Sequence, residues 1–412
     1  MIVPEYVQAL DACDPLASKR FEFSIPNGTI YMDGNSLGPL TAASRVAVNN
    51  LLENQWGSDL IQGWNKHQWI DMPSTVGEKI APLVGSAAGQ IICCDSISVN
   101  LFKLLACALK LNPNRSVVVS QDDNFPTDLY IAQGLSDLLG AHRCQLKLAK
   151  AENLFDYIDE SVAVLMLTHV NFRSGDMHDM AELTRMAHAK GVLVIWDLAH
   201  SAGAVPLALD NCEVDFAVGC GYKFLNGGPG APAFVYIAQR HHETALQPLN
   251  GWMGHASPFK FSPHYQAATG PRHFLSGTPS IIAMAALDAA LEVFSGVDID
   301  SLYAKSIALA EFFLQEIKKH AELQKLELIS SPHAKRRGSQ LAFTHPEAYA
   351  ISQALIARGV IVDYREPNIV RFGITPLYQS FEDLWRASQV LNNVVASKEY
   401  QSPKFQQRNT VT

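Results

Sequence analysis

Residues 191–197 read Gly-Val-Leu-Val-Ile-Trp-Asp, and upstream of them stand Val162-Ala-Val-Leu-Met-Leu-Thr168 and Val117-Val-Val-Ser120. Each run is short, rich in β-branched residues and apolar without alternation, the pattern of a strand buried on both faces. Polar loops at 121–128 and 169–178 follow the earlier two runs, and helical patterns start at Leu129 and about Met180. Asp215-Phe-Ala-Val-Gly219 reads as a fourth strand and Phe234-Val-Tyr-Ile237 as a fifth, whose short connection suggests an antiparallel setting. Strands alternating with helices, together with the right-handed crossover rule, predict a doubly wound or related α/β layer with a mostly parallel sheet. In such sheets ligands gather outside the carboxyl ends of the strands.

Past Pro279 the pattern changes. An alanine-rich helix is expected over 280–294 and a second over 301–320. Short strands at Leu341–Phe343, Val360–Tyr364 and Ile369–Phe372 mix with helices over 346–358 and 381–396. This reads as a smaller α+β domain, with a polar tail from Ser402 expected to fray.

Bulk properties narrow the function. The 412 residues are 48% hydrophobic and 17% charged, ordinary for a globular enzyme with a large core. A net charge of −8 argues against a nucleic-acid or anionic-membrane partner. Met1 to Arg20 carries Glu5, Asp11 and Asp14 and has no signal-like apolar core. No run approaches the roughly twenty apolar residues of a membrane span. The seven cysteines are scattered apart from Cys93-Cys94, with no Cys-x-x-Cys, so buried reduced thiols in a cytoplasmic enzyme are expected rather than disulfides or a metal site.

The chemistry concentrates at the strand ends. Lys223 lies between the fourth strand and the glycine-rich Gly227-Gly-Pro-Gly230. In a cleft wall, desolvation makes an amine nucleophilic, although a lone lysine is more often one that snorkels to the surface. Asp197 closes its own strand 26 residues earlier; it suits a protonated pyridine nitrogen, and equally a helix N-cap. In Asp123-Asn-Phe-Pro-Thr-Asp128, Phe125 suits ring stacking and Asp128 a hydrogen bond to a ring substituent, unless the segment is a plain turn. Ser96 and Ser98 precede a helical run, which makes either a phosphate site or a serine cap.

These residues lie within segments that resemble the kynureninases, pyridoxal 5′-phosphate (PLP) enzymes of the aspartate aminotransferase fold, fold type I. The matches run in family order: MDGNSLGPL (32–40), GWNKHQWIDMP (63–73), SISVNLFKLL (96–105), DNFPTDLYIAQGL (123–135), MLTHVNFRSGDMHDM (166–180), WDLAHSAGAVP (196–206), GYKFLNGGPGAPAFVYI (221–237), LNGWMGH (249–255), FLSGTPSI (274–281) and VRFGITPLY (370–378). The resemblance implies a seven-stranded, mostly parallel sheet in a large PLP domain (46–285), a small C-terminal α+β domain (286–412) and an N-terminal arm (1–45) associated with the latter.

By position it implies that Lys223 is the Schiff-base lysine and Asp197 the partner of the pyridinium. Phe125 is then the stacking ring, with Asp128, Thr168 and His200 as further cofactor contacts. Tyr222 touches the phosphate and moves protons, and Ile97 and Ser98 form the phosphate loop. Trp252 and Thr278 reach the cofactor of a neighbouring subunit, which implies a homodimer, and Arg371 grips the substrate's α-carboxylate. Trp64 and His67 are candidates for the aryl pocket, with ordinary packing as the alternative for both. Ile97 departs from the pattern, since a threonine is expected there, so one side-chain hydroxyl is missing. The implied activity is hydrolysis of L-kynurenine, with 3-hydroxykynurenine as an alternative substrate, in tryptophan breakdown or NAD synthesis. A cysteine desulfurase or selenocysteine lyase would need a cysteine late in the chain, and Cys220 is the last here. An aminotransferase shares the cofactor chemistry. A PLP-binding regulator would need a basic DNA-reading module, and none is visible.

Overall fold

The computed structural model describes residues 2–408. Its largest sheet has seven strands: β1 (Ile91–Cys93), β2 (Val117–Gln121), β3 (Gln145–Ala149), β4 (Val162–Thr168), β5 (Leu193–Asp197), β6 (Phe216–Cys220) and β7 (Ala233–Ile237). Their order is β1-β7-β6-β5-β4-β2-β3. All neighbours are parallel except at β7, which runs antiparallel to both β6 and β1. The α/β class, the mostly parallel sheet and the reversal after β6 agree with the reading of the sequence.

The unbroken apolar runs have a direct cause, since alternate residues serve two cores. Val119, Leu165, Val194 and Trp196 pack on one face, under α3 (Met180–His188) and α4 (Ile281–Ala290). Val118, Val164, Met166 and Ile195 pack on the other, under α1 (Ile97–Leu111) and α2 (Pro126–Leu139). Each such side chain contributes about 1.5–3 kcal/mol on burial.

A second sheet is antiparallel, with order β10-β11-β9-β8, from β8 (Glu327–Leu328), β9 (Gln340–Thr344), β10 (Asp363–Arg365) and β11 (Ile369–Gly373). It packs with α5 (Ile299–Lys318), α6 (Ala348–Ala357) and α7 (Phe381–Ala396) around Phe313, Phe343, Val370 and Leu391. Ser380 and Asp383 form a reciprocal capping box at the start of α7. The N-terminal segment joins this part of the molecule, Ile30–Tyr31 pairing in parallel with Val360–Ile361.

Four local readings change. Strands β1 and β3 stand at the two edges of the large sheet and escape the apolar-run criterion: β1 has three residues, and β3 reads Gln-Leu-Lys-Leu-Ala with polar residues interleaved and only Ala149 buried. The expected strand Val360–Tyr364 breaks at Val362 because its halves pair with different partners, Ile30–Tyr31 and β11. The helix expected to reach Phe294 tightens into a 3₁₀ turn at Leu291. Part of the tail is held rather than frayed: Phe405 is buried and the Tyr349 hydroxyl donates to the Gln407 carbonyl at 3.0 Å, while residues 409–412 lie outside the described ones. Among the described residues no helix is long and apolar enough to cross a membrane, and no group of three or more His, Cys, Asp or Glu could hold a metal. None of the seven cysteines is disulfide-bonded.

Candidate functional site

The carboxyl ends of β2, β4, β5 and β6 open on a cavity of about 160 Å³. Into its wall come Ile97 and Ser98 from α1, Phe125 after β2, Thr168 at the end of β4, Asp197 and His200 after β5, and Tyr222 and Lys223 after β6. The chain delivers them by local rules. Pro126 opens α2 and holds Phe125 extended ahead of it. Asn124 braces the same loop, its Nδ2 donating to Ser120 Oγ at 3.0 Å while its Oδ1 accepts from the Phe125 N–H at 2.7 Å.

Lys223, 9% exposed, has its Nζ 3.0 Å from His200 Nε2 and 5.8 Å from the centroid of the Phe125 ring. Burial, reinforced by the charges of Lys223, Arg371 and Arg365, pushes the imidazole pKa well below its ordinary value. His200 is therefore neutral, and Nε2 accepts from the ammonium with the ring proton on Nδ1. That Nδ1 is buried and has no partner.

Asp197, 2% exposed, accepts from the Ala199 N–H at 2.7 Å. The segment after it turns without becoming a helix, so the N-cap alternative does not apply. Asp128 lies behind it, fully buried, with one oxygen 3.4 Å from Thr168 Oγ1 and the other unpartnered. Burial raises both carboxyls; the charge of Asp197 raises Asp128 further, whereas Lys223 and the Ala199 N–H draw Asp197 back down. The two carboxyls hydrogen-bond each other as one buried pair, in which Lys223 and the Ala199 N–H favour the charged form of Asp197. Burial and the neighbouring Cys220 and Asp197 raise the Tyr222 phenol, which stays protonated.

At the other end of the cavity Ser96 is the N-cap of α1, accepting from the Val99 N–H at 3.4 Å, which is the plainer of its two readings. Ile97 and Ser98 occupy the first turn, where free N–H groups favour an anion. The residues present fit PLP. A buried anion at Asp197 suits a protonated ring nitrogen, and the unpartnered Asp128 Oδ1 and His200 Nδ1 suit a ring with polar edges. Phe125 offers a stacking face and the start of α1 a phosphate seat.

Five sequence-derived candidates stand elsewhere. Arg371, 1% exposed, is buried on β11 and does not line the cavity; its Nη1 donates to the carbonyl of Phe172, whose ring does. Trp64 packs edge-on against Trp69 at 5.8 Å, and nearby His67 bonds Asp59 at 2.8 Å. Trp252 and Thr278 are exposed on the surface of this chain. The wall also includes Thr127, Phe172 and Cys220, with Ala199, Ala231 and Ala233, none of them among the candidates read from the sequence. Phe172, edge-on to Phe125 at 5.1 Å, follows β4 just as Phe125 follows β2, a signal available in the sequence.

A mostly parallel seven-stranded sheet with one reversed strand, and a buried lysine and aspartate beyond neighbouring strand ends, define the fold type I class. Solved structures share that fold. A cysteine desulfurase from Thermococcus onnurineus NA1, in its apo form, superposes with a TM-score of 0.75 at 18% identity over 96% of this chain and 99% of that one. The cystine C–S lyase C-DES, in complex with cysteine persulfide, gives 0.76 at 17% over 89% and 98%. Sequence narrows the class. Residues 302–391 match the model of the kynureninase C-terminal domain. The chain is 44% identical to a kynureninase of Pseudomonas fluorescens over 98% of both chains, and 45% identical to one of Burkholderia pseudomallei (strain 1106a) over 99% of both. It belongs to the kynureninase family.

Proposed function

We propose that this chain hydrolyses the Cβ–Cγ bond of L-kynurenine, releasing anthranilate and L-alanine, with pyridoxal 5′-phosphate bound at Lys223. The observation that carries the reading is identity of 44–45% to kynureninases over essentially the full length of both chains. Bound PLP supplies an electron sink for charge developing at the substrate Cα, as long as its ring nitrogen stays protonated. Asp197 holds that proton, its charged form favoured by Lys223 and the Ala199 N–H. Phe125 stacks on the ring and helps keep water from it, while Ile97 and Ser98 seat the phosphate. Asp128, Thr168 and His200 hold the ring's polar edge. Lys223 Nζ takes the α-proton, and neutral His200 lets it move without competing for charge. Tyr222, kept protonated by its surroundings, holds the proton delivered in the later transfers. Arg371 orients the substrate through its α-carboxylate, and Trp64 and His67 belong to the aryl side.

The same reading makes the enzyme a cytoplasmic homodimer in which Trp252 and Thr278 serve the neighbour's cavity. Exposed Leu40, Val46, Trp252 and Ile282 support it, with Leu40 and Ile282 lining an apolar cleft of about 760 Å³. It also divides the chain into an arm (1–45), a PLP domain (46–285) and a small domain (286–412), for tryptophan breakdown or NAD synthesis.

The test is direct. Purified protein should be yellow, and mixing it with L-kynurenine should release fluorescent anthranilate, while Lys223→Ala loses both colour and turnover. Full PLP loading with no anthranilate would sink the substrate assignment.

A further inference from the structure

The role of Arg371 brings its partners into view. Asp363 and Arg371 are paired across the β10–β11 ladder, so both point to one face of the small sheet. Arg371 Nε donates to Asp363 Oδ1 at 2.8 Å and Nη2 donates to Asp363 Oδ2, a two-pronged ion pair. Nη2 also donates to Ser36 Oγ at 3.1 Å, and Nη1 donates to the Phe172 carbonyl. A guanidinium has five N–H groups, so one on Nη1 is left over. Ser36 Oγ in turn donates to Asp363 Oδ2 at 2.7 Å, and Arg365 Nη2 lies 2.9 Å from the same oxygen. The guanidinium is therefore pinned by the N-terminal segment, β10 and the loop after β4, the last of which carries a wall residue of the cavity.

The charges here do not balance. Two arginines face Asp363 and Asp33, and burial together with the charge of Asp363 pushes Asp33 up to about 7. A carboxyl raised that far is partly protonated near neutral pH. Protonated Asp33 leaves two cations, Arg371 buried and Arg365 partly exposed, against one anion, an excess that a further carboxylate would neutralise.

We propose that Asp363 is the positioning residue of the substrate-carboxylate site, fixing Arg371 with its spare N–H free for an anion, and that Ser36 locks the N-terminal segment to that pair. This rests on the reading of Arg371 above. Pre-orientation is what Asp363 adds: a buried arginine without its fork partner would point elsewhere or bond to itself the anion meant for the substrate's place.

The experiment compares two ligands, L-kynurenine and the amine left when it loses its carboxyl group, used as a competitive inhibitor. Asp363→Asn keeps the shape and removes the charge. It should raise the KM for L-kynurenine about tenfold, change kcat less than about twofold, and leave the amine's inhibition constant unchanged. Equal weakening of both ligands would show a general structural role and overturn the proposal, as would no change in either. Arg371→Lys is the reference. If it leaves KM unmoved, the reading of Arg371 fails and takes this proposal with it; if it raises KM while Asp363→Asn does not, this proposal alone fails. Should Asp363→Asn not fold, Ser36→Ala removes one partner of both groups. It should raise KM about threefold for kynurenine only, and an unselective or absent change overturns the proposal.

Discussion

Lys223 rests on a neutral imidazole nitrogen at 3.0 Å, beside a carboxyl pair with an oxygen to spare. Arg371 is gripped by Asp363, Ser36 and the Phe172 carbonyl, from three stretches of chain far apart in sequence. Both are buried cations near one cavity, yet one is lightly held and the other nearly saturated. The difference follows the work proposed for them. A lysine that forms and breaks a covalent bond needs a partner it can leave, and a histidine kept neutral by burial is such a partner. An arginine that orients a carboxylate works best if its geometry is settled before the ligand arrives. The first region stays reactive by leaving groups unsatisfied, and the second gains precision by satisfying them.

The sharpest way to test this contrast is to remove one carboxylate from each region. Asp197→Ala should lower turnover by about 10³-fold, roughly 4 kcal/mol of barrier, with little change in melting temperature, because its loss relieves a buried anion. Asp363→Ala should do the reverse, costing about 3 kcal/mol of stability by leaving Arg371 charged and unpaired in the interior. Urea unfolding alongside steady-state kinetics separates the two. If Asp197→Ala unfolds the protein, or Asp363→Ala leaves it as stable as before, the contrast is wrong.

A smaller effect is expected from pH. Asp33 is faced by Tyr31, Asp363, Ser36, Arg365 and Arg371, and its carboxyl is raised to about 7 by burial and by Asp363. The raised carboxyl is protonated below that pH, leaving the cluster with its positive excess, and ionises above it. The KM for kynurenine should therefore be lowest below pH 7 and rise above it, by up to about tenfold per unit. Asp33→Asn should flatten that limb; a limb that persists in the variant assigns it to another group. The smallest change concerns the phosphate seat. Ile97→Thr adds one hydroxyl at the first turn of α1 and should tighten PLP binding by about 1 kcal/mol. Equilibrium dialysis of PLP would read it, and looser binding would mean that the apolar side chain packs usefully there.

Much of the cofactor region was legible because its residues follow apolar strands. Lys223, Asp197, Thr168 and Phe125 each come just after a run that has to be buried, and in a parallel sheet those ends share one rim. Edge strands were harder. Gln145–Ala149 is mostly open to water at the sheet edge and so carries polar residues, and Ile91–Cys93 is too short to stand out. The partners of Arg371 were not legible at all: Ser36 is 335 positions away, and nothing local to Asp363 marks it as more than a strand residue.

The amino-acid sequence by itself determined the α/β class, the alternation of helices with the inner strands, and the family. These depend on periodicity and on residue identity at spaced positions, which are properties of the chain. Tertiary structure alone decided that Asp128 and Asp197 form one buried carboxyl pair, that His200 is neutral under Lys223, and that Arg371 is held by Asp363, Ser36 and the Phe172 carbonyl. Those depend on burial and on distances between groups from distant segments, and electrostatic energies in a low-dielectric interior change steeply with both.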